Sequence, residues 1–233
     1  RADEEALGQI FDSVAYQYEI QDAIRDGWLV PIEQQFVHVE GLDLSGCGSH
    51  KNDMKDVDVA KIMQQEGLLH KVVDPVIQLA GDRPTLVFAA SVQHAHKIAE
   101  IFNRHRPQSA YAIDGDTPSE TRRDLLKAYS RGEFQYLVNM GVFLEGFDEP
   151  TIGCVAMARP TKSRSLYAQV AGRGTRPLSG LVDGLADADA RKAAIAASGK
   201  PAMLMLDFVG NSGRHKLVCT ADILGGDESD EVI

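Results

Sequence analysis

The sequence predicts a doubly wound α/β layer, a mainly parallel sheet covered by helices on both faces. Between Pro84 and Phe208 short apolar runs alternate with amphipathic stretches in a regular rhythm. The apolar runs have no polar face, as in strands buried on both sides. Each intervening stretch has one apolar face, and alternation of the two kinds marks strand–helix–strand units.

The elements follow in chain order. Leu7, Ile10, Phe11, Val14, Ile20 and Ile24 recur at helical spacing with no strand beside them, so residues 1–30 read as the end of a preceding unit and a connector. Pro31 to Glu40 alternates weakly as a strand, and Val57 to Leu79 is helical, with breaks expected near Gly67 and Pro75. Thr85 to Ala90 is a buried strand, followed by a helix over Val92 to Arg104 with Val92, Ala95, Ile98, Ala99 and Phe102 on one side. Ser109 to Ile113 is a strand. Ser119 to Ser130 is a helix with Thr117 as cap candidate, Pro118 in its first turn and Gly132 at its stop. Strands Tyr136 to Asn139 and Cys154 to Ala158 precede a helix over Arg164 to Val170, and Ala202 to Phe208 is the last core strand. The Ala-rich stretch 179–200 reads as an inserted loop and surface helix, 31–225 as the main domain, and 226–233 as an acidic tail.

At 233 residues the chain can bury a core of one large domain. It contains no apolar run of about eighteen residues and no basic-then-apolar leader, so a soluble, cytoplasmic protein is expected. Cys47, Cys154 and Cys219 are widely spaced and read as reduced packing residues. His94 and His96 diverge on a helix, and no metal site is expected. A net charge of −10 argues against a nucleic-acid binder, but the charge is segregated. No acidic side chain occurs from Thr151 to Val182, where Arg159, Lys162, Arg164, Arg173 and Arg176 fall. A local basic face is therefore compatible with an acidic whole.

Ligands in such sheets gather beyond the carboxyl ends of strands. Ser91, Asp114-Gly115-Asp116, Asn139-Met140-Gly141 leading to Gly146-Phe147-Asp148, and Arg159 to Ser163 are all expected there. Short hydroxyls, glycines and loop amides in a row suit a polyanion. Residues 169 to 176 read Gln-Val-Ala-Gly-Arg-Gly-Thr-Arg. Arginines at i and i+3 can reach one phosphate with forked donors, although on this octapeptide alone a solvated basic turn is the favoured reading and context must decide.

Taken together, four segments resemble ordered motifs of superfamily 2 helicases. LVFAASVQHAHKIAEIF is similar to motif IV, IDGDTPSETRRDLLKAYSRGE to the H-G-x-x-x-Q-x-x-R element, LVNMGVFLEGFDEP to motif V and QVAGRGTRP to motif VI. Their wording is most similar to the branch of type I and type III restriction motor subunits and bacterial DNA-repair helicases, and Ala23 to Pro31 resembles the connector between the two motor domains. The resemblance implies a RecA-like three-layer sandwich with an N-terminal helical connector. It implies that Arg173 and Arg176 reach the γ-phosphate, Arg176 as arginine finger, with Gln169 and Gly172 completing the motif and Gly146 and Asp148 near the ribose. Ser91, Gly115, Arg122 and Asn139 would line the nucleic acid, with Arg159 and Lys162 on the same basic face. Asp114 stands where His is common, Ser119 where Gln is common and Asn139 where Thr is usual.

No Walker A loop or Walker B acids occur in the sequence. ATP and Mg²⁺ are thus expected to be held mainly by an absent first motor domain, and this chain to be inactive alone. The expectation is the C-terminal motor domain of an ATP-dependent helicase or translocase, with DNA favoured over RNA. A RecA-like module that binds nucleic acid or protein without hydrolysis remains the alternative. An independent dinucleotide enzyme is disfavoured because no G-x-G-x-x-G follows a strand.

Overall fold

The computed structural model describes residues 18–50, 53–140, 147–212 and 216–224. The expected tail 226–233, Gly146 and most of the segment before the connector lie outside these. Six strands make one sheet: β1 (Ile32–Asp43), β4 (Thr85–Ala89), β5 (Ala110–Ile113), β6 (Tyr136–Met140), β7 (Cys154–Met157) and β8 (Met203–Asn211). Their spatial order is β1-β8-β7-β4-β6-β5 and every pairing is parallel. A separate antiparallel pair, β2 (Ser49–His50) and β3 (Asp53–Met54), precedes the first core helix.

The strands' period of two sends alternate side chains into two cores. Val87, Ala89, Val138, Ala156, Leu204 and Leu206 face one side, packed by helices α2 (Asp56–Met63), α3 (Glu66–Ala80) and α4 (Val92–His105). Leu86, Phe88, Leu137, Val155, Met203 and Met205 face the other. That side is covered by α5 (Ser119–Ser130), α6 (Arg164–Gly174), α7 (Ala188–Ala196) and α8 (Thr220–Ile223). The predicted doubly wound layer is the one observed.

Three local expectations change. The helical stretch 57–79 divides at Gln64 and Gln65, whereas Pro75 lies inside α3. Leu68, Leu69, Val72, Val73 and Val76 are buried on both sides of that turn, and their burial outweighs the roughly 3 kcal/mol a helical proline costs. Thr117 does not cap α5: its hydroxyl and amide turn back to Asp114. Helix α6 runs to Gly174, past the expected end at Val170.

The connector, Ala23 to Pro31, begins in α1 (Ile20–Arg25), and its residues after that helix are clasped by the insertion. Arg191 of α7 donates from Nε to the Asp26 carbonyl at 2.9 Å and from Nη1 to the carbonyls of Leu185 and Ala186. Its guanidinium lies 3.9 Å from the centre of the Trp28 ring. Gly27 between them has φ +73°, and a Cβ there would meet Arg191 Cβ at 2.8 Å, so only glycine fits.

Between β1, β8 and α6 lies a buried polar knot. Asp207 Oδ2 accepts from Gln34 Nε2 at 2.5 Å and from the Tyr167 hydroxyl at 2.7 Å. Burial raises the Asp207 carboxyl from 3.8 to about 6, against the opposing pull of these two bonds. Between those values the folded chain keeps a proton that the unfolded chain releases. This carboxyl therefore contributes stability below about pH 4 that is lost as pH rises through about 6. Asp207→Asn keeps an acceptor for both donors without the charge. Its melting temperature relative to the parent is expected to rise across that window, by the equivalent of up to about 3 kcal/mol at pH 7. A constant difference from pH 4 to pH 7 would show that this carboxyl is already ionised in the fold.

Candidate functional site

The predicted site residues divide between two opposite edges of the sheet. The parallel strands begin at one edge and end at the other, and α6, starting beyond the end of β7, runs back along them. Its last turn reaches the edge where strands begin. There the Val30 amide, just before β1, donates to the Thr175 carbonyl at 2.7 Å, and Gly174 lies on Met203 and Val155 near the starts of β8 and β7. The expectation that Phe147-Asp148 lies beyond the strands' carboxyl ends is therefore corrected. These residues lie at the starting edge, because they precede β7, which begins there.

Helix α6 is begun by Ser163, whose Oγ accepts from the Leu166 amide, and stops at the C-cap Thr175. That stop turns Arg173 and Arg176 toward the same short segment. Arg173 Nη1 donates to the Phe147 carbonyl at 2.9 Å, and Arg176 Nη1 pairs with Asp148 Oδ2 at 2.6 Å. The Arg176 and Asp148 side chains are 56% and 50% exposed, so their pairing is solvated and readily exchanged for another anion. Gln169 is one turn back, its amide 3.4 Å from the Ser165 hydroxyl. A Cβ on Gly172 would meet none of the described residues within 4 Å, which leaves space beside the arginines. The structure thus brings Arg173, Arg176 and Asp148 together at one edge, with Gly172 in the last turn of α6 and Gln169 about one turn before it. Two forked donors beside an open glycine surface suit an anionic phosphate group.

Two further residues at this edge, Gly174 and Lys200, are not among those the sequence assigns to the site. Gly174 allows α6 to touch the sheet, since a Cβ there would come within 2.5 Å of Met203 Cγ and 2.9 Å of Val155 Cγ2. Lys200 is buried and bonded to the Arg176 carbonyl. The glycine was visible within Gly-Arg-Gly; the lysine is 24 residues from Arg176 and no spacing rule would find it.

The opposite edge holds the predicted nucleic-acid residues. Strands β7, β4, β6 and β5 are consecutive neighbours, so the loops after them form one row. Ser91 caps α4, its Oγ accepting from the His94 amide and from Gln64 Nε2. Neither α4 nor α6 carries an acid in its first turn, so two adjacent helix N-termini present their dipoles to this edge. Gly115 is exposed on a turn held by Asp114, whose Oδ1 accepts from the Asp116 and Thr117 amides. His96 Nε2 lies 2.7 Å from Asp114 Oδ2, and this contact, opposed by burial, lowers the Asp114 carboxyl.

Not every predicted cation faces outward. Arg122 donates to the carbonyls of Asp114 and Thr117, fixing the turn that carries Gly115. Arg159 is buried and held by Asp53 at 3.3 Å and by Asp56, so it anchors the β2–β3 pair to the sheet. The residue was expected on an acid-free basic face, but its partners lie more than a hundred positions upstream. Asn139 is buried at the end of β6. Lys162 alone among these cations reaches the rim, with Nζ 3.0 Å from the Ser49 hydroxyl.

Cys47, Cys154 and Cys219 are buried free thiols, and burial pushes Cys154 up to about 12. His94 is buried, with Nδ1 accepting from the Ala90 amide, and desolvation lowers it to about 4. One group among the described residues has metal-ligand composition: His70, Asp74 and His105, with ligand atoms within 4.8 Å of one another. It lies between α3 and the end of α4, where Asp74 already pairs with His105 at 3.2 Å. No described helix is long and apolar enough to cross a membrane.

A six-stranded parallel sheet between two helical layers, with an arginine pair at the strand-start edge, defines a RecA-like α/β domain. The same architecture occurs in a structure titled as a fragment of a putative HsdR subunit of a type I restriction enzyme from Vibrio vulnificus YJ016. The two superpose with a TM-score of 0.61 at 17% identity, over 93% of this chain and 43% of that one. Residues 67–177 match the family model for the helicase conserved C-terminal domain, and the chain carries the C-terminal domain of a superfamily 2 helicase-like protein. It is 30% identical over 179 residues to the Saccharomyces cerevisiae protein named "Putative ATP-dependent helicase IRC3", covering 76% of this chain and 26% of that protein. It is 33% identical over 180 residues to the Schizosaccharomyces pombe "Putative mitochondrial ATP-dependent helicase irc3", covering 76% of this chain and 29% of that protein. The chain therefore spans about a quarter of the length of these relatives.

Proposed function

We propose that this chain is the C-terminal motor lobe of an ATP-dependent DNA helicase or translocase, with Arg173 and Arg176 facing ATP held mainly by a preceding lobe. The observation that carries this reading is the convergence of both arginines on Phe147 and Asp148 beside the open face of Gly172. The connector supports it independently. Val30 is hydrogen-bonded to Thr175, between the two arginines, so the polypeptide ahead of the connector is tethered at the arginine edge. Gln169, Gly172 and Asp148 would lie against the nucleotide, Arg176 would neutralise charge developing on the transferred phosphoryl group, and Mg²⁺ would be held by the other lobe.

The opposite edge is the track for the strand in this reading. Ser91, Gly115, the end of β6 at Asn139 and Lys162 line it, with Arg122 shaping the Gly115 turn. Arginines at one edge and phosphate-facing loops at the other let closure on ATP shift the lobe along the backbone of the nucleic acid. Single-stranded DNA added to the full-length protein is expected to stimulate ATP turnover several-fold, with the stimulation weakening as salt rises. A full-length protein that binds DNA but hydrolyses no ATP would instead make this domain a non-catalytic binding module.

A further inference from the structure

Lys200 lies just ahead of β8, where the insertion rejoins the sheet, and only 4% of its surface is exposed. Its ammonium donates to the Pro150 carbonyl at 2.7 Å and to the Arg176 carbonyl at 2.6 Å. The preceding carbonyl, Thr175, is taken by the Val30 amide, and the Thr175 hydroxyl donates to the Gly172 carbonyl at 3.1 Å. The carbonyls of Thr175 and Arg176 are thus tied to different parts of the domain: the first to the connector, the second through Lys200 to the segment carrying Asp148. A buried ammonium is costly in an apolar setting and needs such acceptors to be retained. Desolvation lowers the amine to about 8, while the Glu149 carboxylate nearby favours the charged form. Glu149 is itself fixed by bonds from the Thr151 amide and hydroxyl and from Ser130.

We infer that Lys200 is a positioning residue for Arg176: by joining the Arg176 and Pro150 carbonyls, it fixes the finger's main chain relative to Asp148, so that the guanidinium is delivered at one place at the nucleotide edge. This rests on the reading of Arg176 as the finger. A lysine that only satisfied two carbonyls would matter to folding alone. One that aims Arg176 matters to turnover, because a misplacement of about 1 Å at a reacting centre costs roughly 100-fold.

The test is steady-state ATP turnover of the full-length protein carrying Lys200→Met, Arg176→Ala or both. Lys200→Met is expected to lower kcat roughly 10- to 100-fold, with KM for ATP unchanged and a folded protein by circular dichroism. In the Arg176→Ala background it is expected to change the residual rate no further, since both act through one guanidinium. Lys200→Arg, which keeps the charge and donors but displaces them, serves as the second variant if Lys200→Met does not fold, and the same kcat loss is expected. Parental turnover in a folded Lys200 variant, or a loss that adds in full to that of Arg176→Ala, overturns the inference. Parental turnover in Arg176→Ala itself overturns the finger reading instead, so the two failures are told apart.

Discussion

Arg176→Ala in the full-length protein is expected to reduce ATP turnover by roughly 10³- to 10⁵-fold while nucleotide binding is largely retained. That factor corresponds to about 4–7 kcal/mol of transition-state stabilisation. The geometry explains why so large a kinetic effect should come with a small structural one. Arg176 lies beyond the end of α6, and its one charged partner among the described residues is Asp148, with both side chains about half exposed. Solvated pairs of this kind contribute little to folding, so truncation removes a cation from the site without loosening the core. Arg173 differs, because its bond to the Phe147 carbonyl ties α6 to motif V, and its replacement should disturb structure as well as rate. Turnover of Arg176→Ala at the parental rate, measured at saturating ATP, would remove Arg176 from the chemistry.

Gly174→Val is expected to be the most damaging single change to stability near the site. The added Cβ would be placed 2.5 Å from Met203 Cγ and 2.9 Å from Val155 Cγ2, and both neighbours are fully buried in the second core. Val155 is β-branched and sits in a strand paired on both sides, so it has little room to turn away. Overpacking of this kind costs about 1–3 kcal/mol or more. In a chain of this size that lowers the melting temperature by roughly 2–4 °C for each kcal/mol. Gly172→Ala is the matched control, since its Cβ meets none of the described residues and a helical Gly→Ala exchange is favourable by about 1 kcal/mol. Equal melting temperatures for the two variants would refute the close packing of α6 against β7 and β8.

Much of the architecture was legible in the chain because it rests on local periodicity. Thr85 to Ala90 and Cys154 to Ala158 read as strands buried on both faces, and Leu86 and Val87 indeed enter opposite cores. The end of α5 at Gly132, with φ +70°, was equally local. Pro75 misled because its cost is local, whereas the burial of Leu68 to Val76 that overrides it comes from the sheet. The same division holds in the site. The proximity of Arg173 and Arg176 was legible because their spacing is short. Arg159 was misplaced because its partners, Asp53 in the short antiparallel pair and Asp56 at the start of α2, lie far upstream and no spacing links them to it. The separation of the two edges was hidden too: it depends on the direction in which α6 runs back along the sheet, and topology of that kind is not written in any one segment.

The clasp of Trp28 by Arg191 limits where the molecule can bend. Asp26 to Trp28 is gripped by a helix that belongs to the insertion, and Val30 is already bonded into the arginine segment. Rotation about this stretch would break several contacts at once, so the linker rides with the domain as a lever arm. The pivot for any swing of preceding polypeptide is displaced upstream of Asp26, and torque applied there is transmitted directly to the backbone beside Arg176.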